Sequence, residues 1–526
     1  MKKLLLVLVI FSMTMTLVFA TGGRQTTTAP NAITVEVYDR GTDGGRSLAY
    51  DNAWTNWIKQ KVKTDLNIDV TFVPVGRWSE GTDIVNLMAS GSAPDLCYTY
   101  NGDMISNFRD QGGILDLAPY INQYLPDLKK LLGEDPAFPG KDFINRQALT
   151  QATATARVGQ IFSIPSYRVA LAIRNMFIRK DWLDKLGLAM PTNINQFHDA
   201  LVAFRDRDPG NVGRNRVVPY GQDSDVSWGL GDLINHYMQT LNDRELWVNS
   251  IVGRNIVIPG HKEGVRVMNL WYNEGLIYQD FPLMTVTDNF HNMIKSGVVG
   301  AMSQNWDLPY RQDYKINEEL AINVPGAEMV PVDLNLNNKG IMDKTGLQIF
   351  IPAFSRNHIA ALQYLNWLAR PENYTFLQIG QRDVNHVLVN GIPNTIGRPA
   401  GDPWFMNSGN NIDYTLPMNG VEMGSQELNS RVLALSYGNT PADKIVNAYA
   451  ISVRDARAPI VRQVTTTVNQ YSQILSDKHN ALLSQTITGR PADFDRVWDA
   501  GVTDFMASGG QEVLDERARL WPVGQP

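Results

Sequence analysis

One cysteine, Cys97, occurs in 526 residues, so no internal disulfide can form and the fold must rest on burial. Cys97 stands in the strand-like run Asp95-Leu96-Cys97-Tyr98, where a lone thiol reads as a small buried hydrophobe rather than a nucleophile. Histidine is scarce too. His198, His236, His261, His291, His358, His386 and His479 are scattered, and no two sit four residues apart as a zinc-binding helix requires. There is no G-x-S-x-G elbow and no phosphate-cradling P-loop. Any two of the 53 acidic residues could be paired for glycoside hydrolysis, so that pattern carries no signal. Against 47 basic residues they leave a net charge of −6, which lacks the basic face of a nucleic-acid binder. Beyond residue 20 no apolar run approaches the length of a membrane span.

The first twenty residues read as a signal peptide. Lys2 and Lys3 precede an apolar stretch at 4–19, and Val18-Phe19-Ala20 offers a cleavage site. A retained anchor is the alternative. Thr21 follows where a lipid-bearing cysteine would stand, so the expectation is a soluble, exported, periplasmic chain. Residues 21–31 read as a flexible leader. The remainder is too long for one hydrophobic core and predicts two or three lobes.

The hydrophobic pattern alternates between the two regular periods. Ile33, Val35 and Val37 predict a strand; Trp54, Trp57, Ile58 and Val62 predict a helix face; Ile68, Val70 and Phe72 predict a second strand. A helix near 79–89 and a strand over 95–100 follow. This order argues for an α/β fold with a parallel sheet, whose ligands bind beyond the carboxyl ends of the strands. Those ends are Tyr38-Asp39-Arg40, Gly76-Arg77-Trp78 and Tyr98-Thr99-Tyr100-Asn101. The stretch 161–187 combines an aromatic turn, an extended apolar run and a short helix ending at Gly187. It reads as a hinge between two lobes.

Farther on, Ile194, Phe197, Leu201 and Phe204 form a helix face with Thr192 or Asn193 as its N-cap. Residues 297–306, 322–326 and 347–352 read as strands and 357–368 as a helix. Residues 391–420, with Trp404 and Tyr414, read as a long loop, and the rest as helical. Trp54 and Trp57 belong to a helical stripe and read as core; Trp182, Trp271 and Trp367 read as packing within helices. Trp306 ends a strand between Asn305 and Asp307 and is claimed by no stripe.

Several blocks resemble a known family. The runs 87–96 (LMASGSAPDL), 179–187 (RKDWLDKLG), 271–277 (WYNEGLI) and 296–302 (SGVVGAM) are similar, in order, to the extracellular solute-binding proteins of bacterial ABC importers. The resemblance is to the sugar-binding family that includes maltose-binding protein, and to its LipO-like subgroup. It implies a two-lobed periplasmic-binding-protein fold with discontinuous lobes: residues 32–169 with 320–354, and 170–319 with 355–526. Crossings are expected at 167–173, near Leu320 and near Phe354.

The same resemblance implies a binding site made of Trp306, Tyr98, Tyr100, Asn101, Asp39, Arg40, Tyr167, Arg168 and Trp228; Trp78 at a strand end and Trp404 in the long loop are further candidates on the residues alone. Flat sugar faces stack on aromatic rings, while hydroxyls pair with planar polar groups. It implies a monomer that hands a carbohydrate, an oligosaccharide, to transmembrane permease subunits, with no catalytic residue, cofactor or nucleic-acid partner. A peptide or other polar metabolite is the alternative ligand, and an exported carbohydrate-active enzyme the more distant reading. Relatives often carry a calcium loop, Asp-x-Asp-x-Asn-Gly-x-x-Asp. Here the matching positions 208–216 keep Asp208 but place Gly210, Val212 and Arg216 at the other side-chain ligands, so no metal is expected.

Overall fold

The computed structural model describes residues 31–39, 48–77, 79–133, 159–285, 287–311, 314–396, 402–404, 410–438, 440–460 and 465–524. In chain order its strands are β1 (Asn31–Asp39), β2 (Ile68–Gly76), β3 (Cys97–Thr99), β4 (Ile164–Arg168), β5 (Arg174–Arg179), β6 (Val218–Gly221), β7 (Val299–Asn305), β8 (Met329–Val332), β9 (Thr345–Phe350), β10 (His386–Val389), β11 (Ile392–Thr395) and β12 (Met418–Asn419). The predicted leader segments lie outside the described residues.

Two sheets organise the chain. In the first, β2 pairs with β1, and β12-β4-β9-β3 form a ladder. The amide of Glu36 donates to the Leu96 carbonyl at 3.0 Å, and that of Leu96 to Thr34 at 3.2 Å, which joins β1 to the ladder ahead of β3. Every strand but β9 runs the same way. The second sheet has the order β6-β7-β5-β8, with β5 antiparallel to both neighbours.

Local signals set the helices between these strands. Helix Ala53–Leu66 starts at a capping box, in which Asn52 accepts from the amides of Trp54 and Thr55 and Thr55 reaches back to Asn52. It stops at Asn67 in the left-handed region, φ 54°. Trp54, Ile58 and Val62 face the first core. Asn193, one of the two expected caps, accepts from Gln196 and opens helix Ile194–Arg207, whose Phe197, Leu201 and Phe204 enter the second core with Trp182. Gly300 of β7 is required by this packing: a Cβ there would stand 2.8 Å from the Trp182 ring and 2.6 Å from Phe204. Cys97 is fully buried, as expected of a small hydrophobe.

The crossings differ from the expectation after the first. Residues 169–173 join β4 to β5, as the 161–187 stretch predicted. The expected strand at 322–326 is instead the end of helix Ile316–Asn323 and a turn at Gly326, φ 83°. β8 then pairs with β5 in the second sheet, so the return to the first sheet falls at 333–344 rather than near Leu320. No crossing occurs near Phe354. Helix His358–Leu368 is apolar almost all round and fills the first core, where the Trp367 indole donates to Asp65 at 2.8 Å. The expected boundaries therefore shift: 329–332 packs with the second lobe, and 358–379 and 410–419 pack with the first. The region expected as a loop over 391–420 holds β11, helix Asn410–Thr415 and β12. The last return runs through helix Ala442–Val453 to the helices of 466–520.

Three segments thus run side by side at the joint. The amide of Met342 donates to Leu171 at 2.8 Å, and that of Ile341 to Arg457 at 3.0 Å.

Candidate functional site

Strand direction decides which ends meet. β4 runs into the crossing and β5 starts from it, so the carboxyl ends of β1–β4 and those of β6–β8 abut across residues 169–173. Carboxyl ends are where open α/β sheets bind ligands.

On the first-lobe edge, the Arg77 guanidinium lies 5.1 Å from the Tyr38 ring and 4.7 Å from Tyr100, and the two rings stack at 6.2 Å. Glu80 holds Arg77 at 3.0 Å and accepts from the Thr99 hydroxyl at 2.9 Å. Beneath them, the Tyr98 hydroxyl accepts from the Tyr38 amide, and the Tyr98 amide donates to Glu36, each at 2.9 Å. Burial pushes the Glu36 carboxyl well above its usual range. Arg168 ends β4 beside this cluster. Burial lowers its pKa, while Tyr100 and Asp343 pull it back.

At the joint, the Tyr167 hydroxyl donates to Glu422 at 2.7 Å, and the other Glu422 oxygen accepts from Asn429 and from Gly424, each at 2.9 Å. Burial, then Glu422, raises the Tyr167 phenol. The Tyr449 hydroxyl accepts from the Leu171 amide at 3.0 Å and donates to Gln426. Tyr449 also meets Trp306 edge-on, 5.4 Å between ring centres, with Tyr437 on another side at 6.2 Å.

On the second-lobe edge, Arg174 opens β5 and holds the Trp228 turn. It donates to the Ser227 carbonyl at 2.9 Å and that of Trp228 at 3.0 Å, pairs with Asp232 at 2.5 Å, and lies 5.0 Å from the Trp228 ring. The Trp228 indole donates to Gln304 of β7 at 3.2 Å.

The expected site residues divide accordingly. Asp39, Tyr100, Asn101 and Arg168 lie at the first edge, Trp228 at the second, and Tyr167 and Trp306 at the joint. Tyr98 departs from its expected place: it lies within β3, where every residue is covered, and it supports the site from beneath. Asn101 accepts from the Met104 amide at 3.4 Å, at the start of helix Gly102–Asp110. Trp404 packs on Trp54 at 5.0 Å and on Phe376 at 5.8 Å, with the first core. Trp306 is only 7% exposed. Arg40 and Trp78 lie outside the described residues. Arg174, Gln304, Glu422 and Tyr449 are additions. Arg174 lies within the predicted hinge stretch, directly after the expected crossing at 167–173, and was open to recognition there; Glu422 and Tyr449 come from the distant last return and carried no local signal.

The two Asp208 carboxylate oxygens accept from the amides of Val212 at 3.0 Å and Gly213 at 2.8 Å. No helix among the described residues is long and apolar enough to cross a membrane.

Comparison with known proteins follows the same lines. The model of the bacterial extracellular solute-binding protein family matches residues 46–375. The fructooligosaccharide ABC transporter substrate-binding protein FusA of Streptococcus pneumoniae is 27% identical over 210 residues, 36% of each chain. The polygalacturonan/rhamnogalacturonan-binding protein YtcQ of Bacillus subtilis is 24% identical over 268 residues, 50% of this chain and 49% of the relative. Lipoprotein LipO of Bacillus subtilis is 27% identical over 229 residues, 42% of this chain and 41% of its own. The chain thus aligns with half or less of the length of these relatives. Solved structures share the fold over nearly the whole chain. The alginate-binding protein AlgQ2 without calcium superposes with a TM-score of 0.66 at 17% identity, covering 94% of this chain and 98% of that one. A FusA mutant in complex with fructo-nystose gives 0.65 at 16%, covering 93% and 98%. With two α/β lobes joined by side-by-side crossings, and with more than half its length matched, the chain belongs to the bacterial extracellular solute-binding protein family.

Proposed function

We propose that this chain captures a carbohydrate, an oligosaccharide, between its lobes and delivers it to the membrane permease of an ABC importer, without carrying out a reaction itself. The observation that carries the reading is the pair of edges facing across 169–173, each with a guanidinium over an aromatic ring: Arg77 over Tyr38 and Tyr100, and Arg174 over Trp228. Such edges offer flat apolar faces and planar donors together, as sugar rings require. The carbohydrate ligands in the names of FusA, YtcQ and AlgQ2 support it.

In this reading Tyr100, Asp39, Arg168, Trp228 and the residual surface of Trp306 and Tyr167 touch the ligand, and the lobes hinge about 169–173 and 339–344. The protein acts as a monomer, exported to the periplasm after loss of residues 1–20, with Thr21 in place of a cysteine for lipid attachment.

Titration calorimetry against a library of oligosaccharides tests it. Saturable binding that weakens tenfold or more in Trp228→Ala is expected. Absence of heat with every saccharide, together with binding of a peptide, would refute it. Unchanged affinity in Trp306→Ala would remove that residue from the contact set.

A further inference from the structure

Behind Trp228 the second lobe holds a polar cavity of about 430 Å³, a volume ordinary for a small-molecule site. Trp228 and Arg174 form part of its wall, and Arg254, Ser476, His261 and His479 line it farther round. Buried polar side chains normally find partners. Here His261 is 4% exposed and His479 3%; neither ring nitrogen of His261 has a hydrogen-bond partner, and His479 has only a weak contact with the Asn480 side chain.

Arg254 is similarly under-used. It donates one hydrogen bond, to the Ser476 hydroxyl at 2.9 Å, while its buried Nε–H has no partner. Among the described residues no carboxylate lies within ion-pairing distance of it. Arg174 is already engaged by Asp232; Asp225, which also lines the cavity, accepts from the Trp228 amide and attracts Arg254 from beyond ion-pairing distance. Burial depresses His261 to about 4, and burial with the charge of Arg254 depresses His479 to about 3, so both imidazoles are neutral at pH 7. Each then offers one N–H donor. A half-buried guanidinium with its Nε–H buried and unpartnered, and two imidazole donors around one cavity with an indole on its wall, match a planar oxyanion carried on a ring.

We propose that this cavity seats a uronate unit of the captured saccharide, its carboxylate accepting hydrogen bonds from Arg254 and from one of the imidazoles of His261 and His479. The proposal rests on the carbohydrate reading above and adds to it a charge on the ligand and a second pocket off the main cleft.

The test is titration calorimetry of the full chain with uronate oligosaccharides of different linkage, from polygalacturonan and alginate, each beside its carboxyl-reduced neutral counterpart. The parent is expected to bind at least one acidic form tenfold or more tighter than its neutral partner. Arg254→Gln is expected to erase that difference, lowering the acidic affinity tenfold and leaving the neutral one unchanged. Arg254→Lys, which keeps the charge but lacks the Nε–H, should fall between them. Thermal midpoints of both variants establish that they are folded. Equal binding of acidic and neutral forms by the parent, or a preference that survives Arg254→Gln, overturns the pocket while leaving carbohydrate capture standing. No binding of any saccharide overturns both. Free galacturonate and sodium acetate are titrated separately. If either binds as tightly as the oligomers, the carboxylate is recognised without a chain and the saccharide-unit assignment is wrong.

Discussion

Arg174 is the residue on which the second edge depends, and Arg174→Met is the perturbation that separates its two roles. Its ion pair with Asp232 at 2.5 Å is largely buried, with side-chain exposures of 15% and 12%. Methionine keeps the aliphatic length and leaves Asp232 as an uncompensated buried charge. Breaking a buried pair from one side costs about 3–5 kcal/mol, and most of that is the stranded partner rather than the pair itself. The two carbonyls it serves, of Ser227 and Trp228, lose their donors as well. The expected loss is about 3 kcal/mol in the urea transition of the second lobe, without a large change in slope. Adding Asp232→Leu removes the stranded charge, and the double variant should recover most of the stability. Affinity should not recover with it. The Trp228 ring loses its guanidinium partner in both variants, so saccharide binding should remain tenfold or more weaker. A single variant within about 0.5 kcal/mol of the parent, or a double variant no more stable than the single, would refute the assignment of a buried, Trp228-orienting pair.

Trp182→Ala should act on stability alone: the fully buried ring packs edge-on against Phe204 at 5.1 Å, so a loss of about 3–5 kcal/mol in denaturant melts is expected with saccharide affinity unchanged. Asp223 supplies a pH test. Burial raises its carboxyl from 3.8 to about 6, so the unfolded chain ionises first and stability falls as pH rises from about 4 to 6. Asp223→Asn, which keeps an acceptor for the Asp225 amide, should flatten that slope and gain about 2 kcal/mol at pH 7 after allowing for partial exposure. Millimolar calcium should leave the melting temperature unchanged, because Asp208 is engaged by amides and Arg216 occupies the closing ligand position; a calcium-dependent rise would contradict this.

What the sequence made legible was mostly local. The alternation in 33–37 and 68–72 and the stripes of 54–62 and 194–204 marked their elements, and parallel strands carry their ends to one edge, which brought Asp39, Tyr100 and Arg168 together. The hinge at 161–187 was legible because a strand that leaves one sheet for another has no helical period to hide behind. The later crossings were not. Ile322 and Val324 mimic strand alternation at the end of a helix, and only the pairing of β8 with β5 places the return after Val332. Helix His358–Leu368 was found, but its lobe was not, since an all-apolar helix does not say which core it fills. Tyr98 shows what a two-residue period leaves open: it shares a strand face with Tyr100, yet it sits inside β3 and is fully covered, while Tyr100 lies just past the strand end and stays half-buried. The Glu422–Tyr167 and Tyr449–Trp306 contacts join positions more than a hundred residues apart, and nothing in either neighbourhood announces the other.

The most direct test of the central claim is native mass spectrometry of the purified chain, followed by release and identification of what it carries. Aromatic and guanidinium edges closing on a sugar predict a retained mass that resolves into hexose or uronate repeats and is displaced by added oligosaccharide. A retained peptide, released intact and displaced by no saccharide, would contradict it.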